Sequence, residues 1–237
     1  MIATSTSLHP IKPQVQTSKG RFHVKDPGSA LTHFIGFVLA IAATPFLLIV
    51  AASHGMDTPA MMSLSVFMLS MIALYGASTA YHTFDVSPRV NKVLKKIDHT
   101  MIFVLIAGTY TPICAVTLWQ GAGPWMLALV WGIALAGFIF KLFWVTCPKW
   151  VSSVLYIAMG WVCLFALPQI VSGLGMTGFL WLLIGGILYT VGGVIYALKF
   201  NVFGGKYPYF GSHEVFHCFV LAGSFCHVMT MITGVIG

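Results

Sequence analysis

Two histidines four residues apart, in the run His213-Glu-Val-Phe-His217, carry the first chemical signal of this chain. On an α-helix that spacing sets the imidazoles about 6 Å apart along the axis and about 40° apart around it, on one face. It is a metal-chelating arrangement, and it also serves histidines that only hydrogen-bond. Ser78-Thr-Ala-Tyr-His82 repeats the spacing with a hydroxyl in place of the first ring, so Ser78 stands one turn from His82 on its own side of the helix. Three neutral imidazoles at about 2.0 to 2.1 Å, with a fourth position open to water, describe a catalytic zinc centre. The candidate ligands are His82, His213 and His217, and Asp98 is the candidate partner of the bound water. An all-imidazole shell suits zinc, although spacing alone also admits iron or manganese. Four other residues are set apart from this group. His33 is expected as a satisfied polar contact. His227 lies about 15 Å beyond His217 along a helix and is expected to be a buried hydrogen-bonding residue. His99 and Glu214 point about 100° away from their neighbours in the set.

The elements that carry these residues follow from composition. The 237 residues are 58% hydrophobic and only 7% charged, against roughly 25% charged in an average soluble chain. Mean hydropathy is +0.92 over the whole length. A soluble enzyme, a secreted disulfide scaffold and a disordered tail are thereby excluded, and the chain is predicted to be an all-α membrane protein. Stretches without Asp, Glu, Lys or Arg run over 27–56, 58–84, 99–140, 150–198 and 215–237. The third would be about 63 Å long as one helix, twice a hydrocarbon core, so it must fold back, at Trp119–Pro124. The fourth divides by the same argument around Pro168–Gly175. Seven transmembrane helices are predicted, near 29–52, 59–83, 97–118, 124–145, 150–170, 177–198 and 212–235. In this arrangement His82, Asp98, His213 and His217 share one membrane depth, at the inner face.

Charge sets the orientation. With the N-terminus in the cytoplasm, all 12 basic residues fall on cytoplasmic segments, which fixes the C-terminus outside. The net charge of +7 is thus a topology signal, and no nucleic-acid partner is expected. Residues 1–27 read as a basic cytoplasmic tail and 28–237 as the transmembrane domain. Residues 86–97 place Val90, Val93, Leu94 and Ile97 opposite a basic face and read as an interfacial helix touching anionic inner-leaflet lipid. Lys141 is expected to snorkel to the interface. The five cysteines read as small apolar fillers, Gly185, Gly186, Gly192 and Gly193 as a packing face, and Pro45 and Pro112 as bends.

Taken in order, these motifs resemble a known family. Ser78-x-x-x-His82, the Lys95–His99 junction leading to Ile106-Ala-Gly-Thr-Tyr-Thr-Pro112, Ala158-Met-Gly-Trp161, and Ser212-His213-x-x-x-His217 followed by His227 resemble the hemolysin III family. That family is the bacterial branch of the progestin and adipoQ receptor superfamily, which includes the adiponectin receptors. The resemblance covers about residues 28–237. It implies a seven-helix bundle with zinc near the cytoplasmic face, held by His82, His213 and His217, with Asp98 on the water and Ser78 as the motif serine. It also implies ceramidase-like chemistry in the cell membrane: water attacks the carbonyl of a lipid amide or ester that enters from the bilayer, Asp98 takes the proton, and Ser78 or zinc steadies the oxyanion. Three rival functions are a non-enzymatic sensor stapled by zinc, a zinc or proton transporter, and a cytolytic hemolysin. The transporter lacks polar stations through the outer half, and the hemolysin lacks a soluble-to-inserted switch.

Overall fold

The computed structural model describes residues 23–200, 207 and 209–237, and among them every regular element is helical. The order is α1 Pro27–Ser53, α2 Thr58–Thr83, α3 Pro88–Pro112, α4 Gly123–Phe143, α5 Lys149–Gly160, α6 Leu167–Leu198 and α7 Ser212–Thr230. Most of the tail expected over residues 1–27 lies outside the described residues. Local chemistry accounts for several of the helix starts. Asp57 Oδ1 accepts from the Ala60 amide at 3.0 Å and Ser87 Oγ from the Val90 amide at 3.3 Å, each satisfying an amide that the first turn leaves free. Prolines stand in the first turn of α1, α2, α3, α4 and α6, where a missing N–H costs nothing. α1 continues through Pro45, whereas α3 widens beyond Pro112 into a turn at Ile113–Thr117. There the Leu118 amide reaches Ile113 O at 3.0 Å, which absorbs the bond that proline removes.

Among the described residues, six helical runs are long and apolar enough to cross a membrane. One of them, Lys149–Leu198, spans α5, the tighter turn Trp161–Ala166 and α6. It is broken at Gly175, whose φ of 64° and ψ of 170° no helix contains. A residue with a Cβ rarely enters that region, so the reversal falls on glycine. Beyond it the chain returns beside itself: Trp161 Nε1 donates to Thr190 Oγ1 at 3.0 Å, and Ile157 packs at Gly193. The break anticipated over Pro168–Gly175 is thus confined to Gly175, and Pro168 begins a helix.

Helices adjacent in the chain pack together and α1 also meets α7, closing the bundle. The outer faces carry Leu31, Phe34, Leu39, Phe46, Phe165 and Phe225, all exposed, while Ser63, Ser70, Asp98, His217 and Ser224 are buried. This inversion suits a hydrocarbon solvent. α6 and α7 run antiparallel in constant register, with Gly178 against Gly234, Gly185 against His227 and Gly192 against Phe219. The glycines therefore do admit close packing, except Gly186, which meets nothing.

Two expectations change. The segment 86–97 forms no separate interfacial helix. It is the first three turns of α3, with Val90, Val93 and Ile97 exposed, because no breaker interrupts the chain at its junction with the apolar run. Lys141 does not snorkel but is fully enclosed, its Nζ donating to Ser152 Oγ at 2.5 Å and Cys147 Sγ at 3.2 Å. The short turn after α4 brings these partners over the helix end, so the ammonium is satisfied without reaching water. Cys147 is accordingly an acceptor rather than only a filler.

A Cβ on Gly192 would stand 2.7 Å from Phe219 Cβ, so Gly192→Val must separate α6 from α7. It is expected to lower stability by about 1 to 3 kcal/mol in a detergent melt. Gly186→Ala, placed in open space, should leave the melt unchanged.

Candidate metal centre

The end of α2 and the start of α7 meet at one end of the bundle, and there the three predicted imidazoles converge. His82, His213 and His217 each offer one ring nitrogen within 4.8 Å of the others. His82 Nε2 lies 3.2 Å from His213 Nε2, and the rings of His213 and His217 are 4.4 Å apart. Two ligands at the zinc–imidazole distance around a tetrahedral ion stand about 3.3 Å apart, so the spacing of His82 and His213 fits. His82 and His217 are buried, and His213 is partly so.

The opposite ring nitrogens determine which tautomers are presented. Asp26 Oδ2 lies 3.0 Å from His82 Nδ1. A carboxylate only accepts, so Nδ1 carries the proton and Nε2 keeps its lone pair. Thr32 Oγ1 lies 3.0 Å from His217 Nδ1 and from the main-chain oxygens of Gly28 and Ser29. With its one proton directed to either carbonyl, the hydroxyl accepts from His217 Nδ1, which leaves Nε2 unprotonated in the same way. Outer-shell groups of this kind orient metal-binding histidines and raise their basicity. The chemistry of the donor set therefore fits a zinc ion.

Asp26, Thr32 and His33 were the residues that spacing missed. Asp26 was assigned to the tail, yet its amide donates to His82 O at 2.8 Å and the Lys25 amide to Thr83 O at 3.2 Å. An Asp-Pro-Gly helix start was visible in the sequence, whereas its contact with a histidine 56 positions away was not. His33 makes no hydrogen bond. Its ring stacks on His217, 3.5 Å between centroids and 8° from parallel, and neither nitrogen has a partner. The expectation of a satisfied polar contact is corrected. Glu214 stays off the ligand face as expected, accepting from Ser29 Oγ at 2.5 Å and the Gly211 amide at 2.8 Å.

His213 and His217 line one end of a cavity of about 400 Å³, and Ser78 and Asp98 line it with them. Ser78 Oγ is buried without a partner, and Asp98 Oδ2 lies 3.2 Å from His99 Nδ1. Asp98 on α3 and Ile113, the first residue of the wider turn that continues it, both line the wall and are about 22 Å apart along the helical run, so the cavity penetrates much of the bundle. Beyond the polar end its wall is mostly apolar, with Leu105, Ile106, Met126, Ile170, Phe179 and Leu182. Leu164, in the turn Trp161–Ala166, both lines the cavity and is exposed on the outer face.

A multi-pass helical membrane protein with a buried three-histidine cluster at the end of an apolar cavity is the class that fold and site define. Residues 22–228 match the family described as Haemolysin-III related. The chain is 38% identical over 208 residues to Hemolysin-3 of Bacillus cereus, covering 88% of this chain and 90% of that one. It is 39% identical over 204 residues to a Hemolysin-3 homolog of Bacillus subtilis (strain 168), covering 86% and 91%. The chain belongs to the haemolysin III family.

Asp26→Asn keeps the size of the side chain but removes its charge from His82 Nδ1. Zinc affinity, measured by chelator competition, is expected to fall about 10- to 100-fold. Affinity equal to the unmodified protein would remove Asp26 from the metal centre.

Proposed function

We propose that this protein is a zinc-dependent hydrolase of lipid amides or esters in the cell membrane. The observation that carries the reading is the convergence of His82, His213 and His217 beside a cavity that His213 and His217 line and whose wall beyond them is mostly apolar. A volume of about 400 Å³ falls in the range of ligand sites, and the wall suits an acyl chain. Leu164, in the cavity wall yet exposed on the outer face, supports entry of that chain from the bilayer. In this reading the chain crosses the membrane seven times, with Lys149–Leu198 passing twice through the reversal at Gly175. The N-terminus is cytoplasmic and the C-terminus outside, supported by the one-sided placement of basic residues. The start of α3 then lies at the inner face, where Arg89 and Lys92 beside exposed Val90 and Val93 meet anionic lipid.

Zinc held by the three imidazoles would supply a Lewis acid and water acidified towards neutrality. The protein groups divide the remaining work. Asp98 accepts a proton as the water oxygen bonds to the carbonyl carbon, and returns it to the nitrogen or oxygen that leaves. Ser78 Oγ, free of any protein partner, donates to the carbonyl oxygen as it gains negative charge. Asp26 and Thr32 hold His82 and His217 in the tautomer with Nε2 unprotonated. His33 stacked on His217 limits rotation of that ring.

Elemental analysis of detergent-purified protein should find close to one zinc per chain, lost when His213 and His217 are both replaced by Ala. Asp98→Ala should keep the zinc while amide hydrolysis falls by at least about 10²-fold. Full activity in that variant sinks the catalytic role and leaves the zinc as a staple of a non-enzymatic sensor. Zinc-free protein, equal to the double variant, overturns the whole reading. A reporter enzyme active only outside the cytoplasm, fused after Gly237, should be active; an inactive fusion at that end rejects the orientation.

A further inference from the structure

The cavity is not apolar along its full length. His227 lines it, is buried, and has no hydrogen-bond partner for Nδ1. Its ring fits against α6 because residue 185 is glycine: a Cβ there would stand 3.0 Å from Cε1 and Nε2. Tyr189, also in the wall, packs its ring 5.1 Å from His227. Its hydroxyl is 2.9 Å from Ser224 Oγ, which also receives the Tyr75 hydroxyl at 2.6 Å. Whichever of Tyr189 and Ser224 donates, the Tyr189 oxygen keeps hydrogen-bonding capacity to offer the cavity. Thr109, Tyr110 and Thr190 also line the cavity, but their hydroxyls already donate to the main-chain oxygens of Leu105, Gly160 and Gly186. His227 and Tyr189 are therefore the polar residues of this stretch with hydrogen-bonding capacity to spare, and they belong to none of the machinery around the three histidines.

Position along α7 fixes what could satisfy them. His227 lies about 15 Å from His217 along the helix axis, the length of about a dozen extended methylenes. A buried imidazole nitrogen against plain hydrocarbon forfeits its hydrogen bond. A hydroxyl at that distance would donate to a ring nitrogen of His227, or accept from it in the other tautomer, and exchange a second bond with Tyr189. We infer that the cavity recognises acyl lipids whose chain carries a hydroxyl about twelve carbons from the reacting carbonyl, with His227 and Tyr189 as the specificity residues. The inference rests on the reading of the cavity as an acyl-chain site.

Zinc-loaded, detergent-purified protein would be titrated with stearic acid, 12-hydroxystearic acid and 2-hydroxystearic acid against a bound fluorescent fatty acid. The 12-hydroxy acid is expected to displace the probe at about 10-fold lower concentration than either other acid. His227→Leu should abolish that preference while stearic acid still binds and zinc content is unchanged. Tyr189→Phe removes one hydroxyl and keeps the ring, so it tests the same point in a fully packed protein and should reduce the preference. Equal displacement by the 12-hydroxy acid and stearic acid in the unmodified protein overturns the inference alone. So does a preference that survives both substitutions, or one shared by the 2-hydroxy acid. Failure of all three acids to displace the probe overturns the acyl-chain reading together with the inference.

Discussion

The candidate centre depends on a polar knot that ties the first turns of α1 to the ends of α2 and α7. The Lys25 and Asp26 amides close onto Thr83 and His82, Asp26 binds the His82 ring, Thr32 binds the His217 ring, and Ser29 binds Glu214 at the start of α7. Each bond joins residues 56 or more positions apart in the chain. Within a hydrocarbon surround such groups have nowhere else to go, which makes the knot directional in a way that the surrounding van der Waals packing is not. The His82 and His217 rings point inward because their outer nitrogens are already committed, to Asp26 and Thr32.

The same rule explains Lys141 and marks the cavity as a place for a ligand. Lys141 is enclosed by Ser152 and Cys147, and Tyr110 donates to Gly160 O at 2.6 Å while accepting from the Cys163 amide at 2.8 Å. Among the described residues, the buried side-chain polar atoms left without hydrogen-bond partners all belong to residues that line the cavity: both nitrogens of His33, Ser78 Oγ, and Nδ1 of His99, His213 and His227. A bundle that satisfies its polar groups elsewhere and leaves these open holds them for something that enters.

Much of this was legible in one dimension. The charge-free runs located the helices, and the four-residue spacings of Ser78 with His82 and His213 with His217 selected the faces that meet. The reversal near Gly175 followed from length alone. What spacing mistook were contacts between elements. His33 became a stacking partner of His217 and Asp26 an outer partner of His82, although neither has a local motif beyond a helix start. Lys141 resembled an interface anchor because its helix end is near the membrane surface by count, and only the fold of the following turn shows Ser152 above it.

The sequence by itself determined the helical class, the placement of the apolar runs, the one-sided basic charge and the three histidines, because hydrophobicity and helical period are properties of consecutive residues. Tertiary structure decided which nitrogen each histidine presents, which carboxylate stands behind it, and that a cavity runs from the cluster past His227. Those features come from side chains brought together across α1, α2, α3, α6 and α7. Their separations depend on helix register and crossing, which no local pattern encodes.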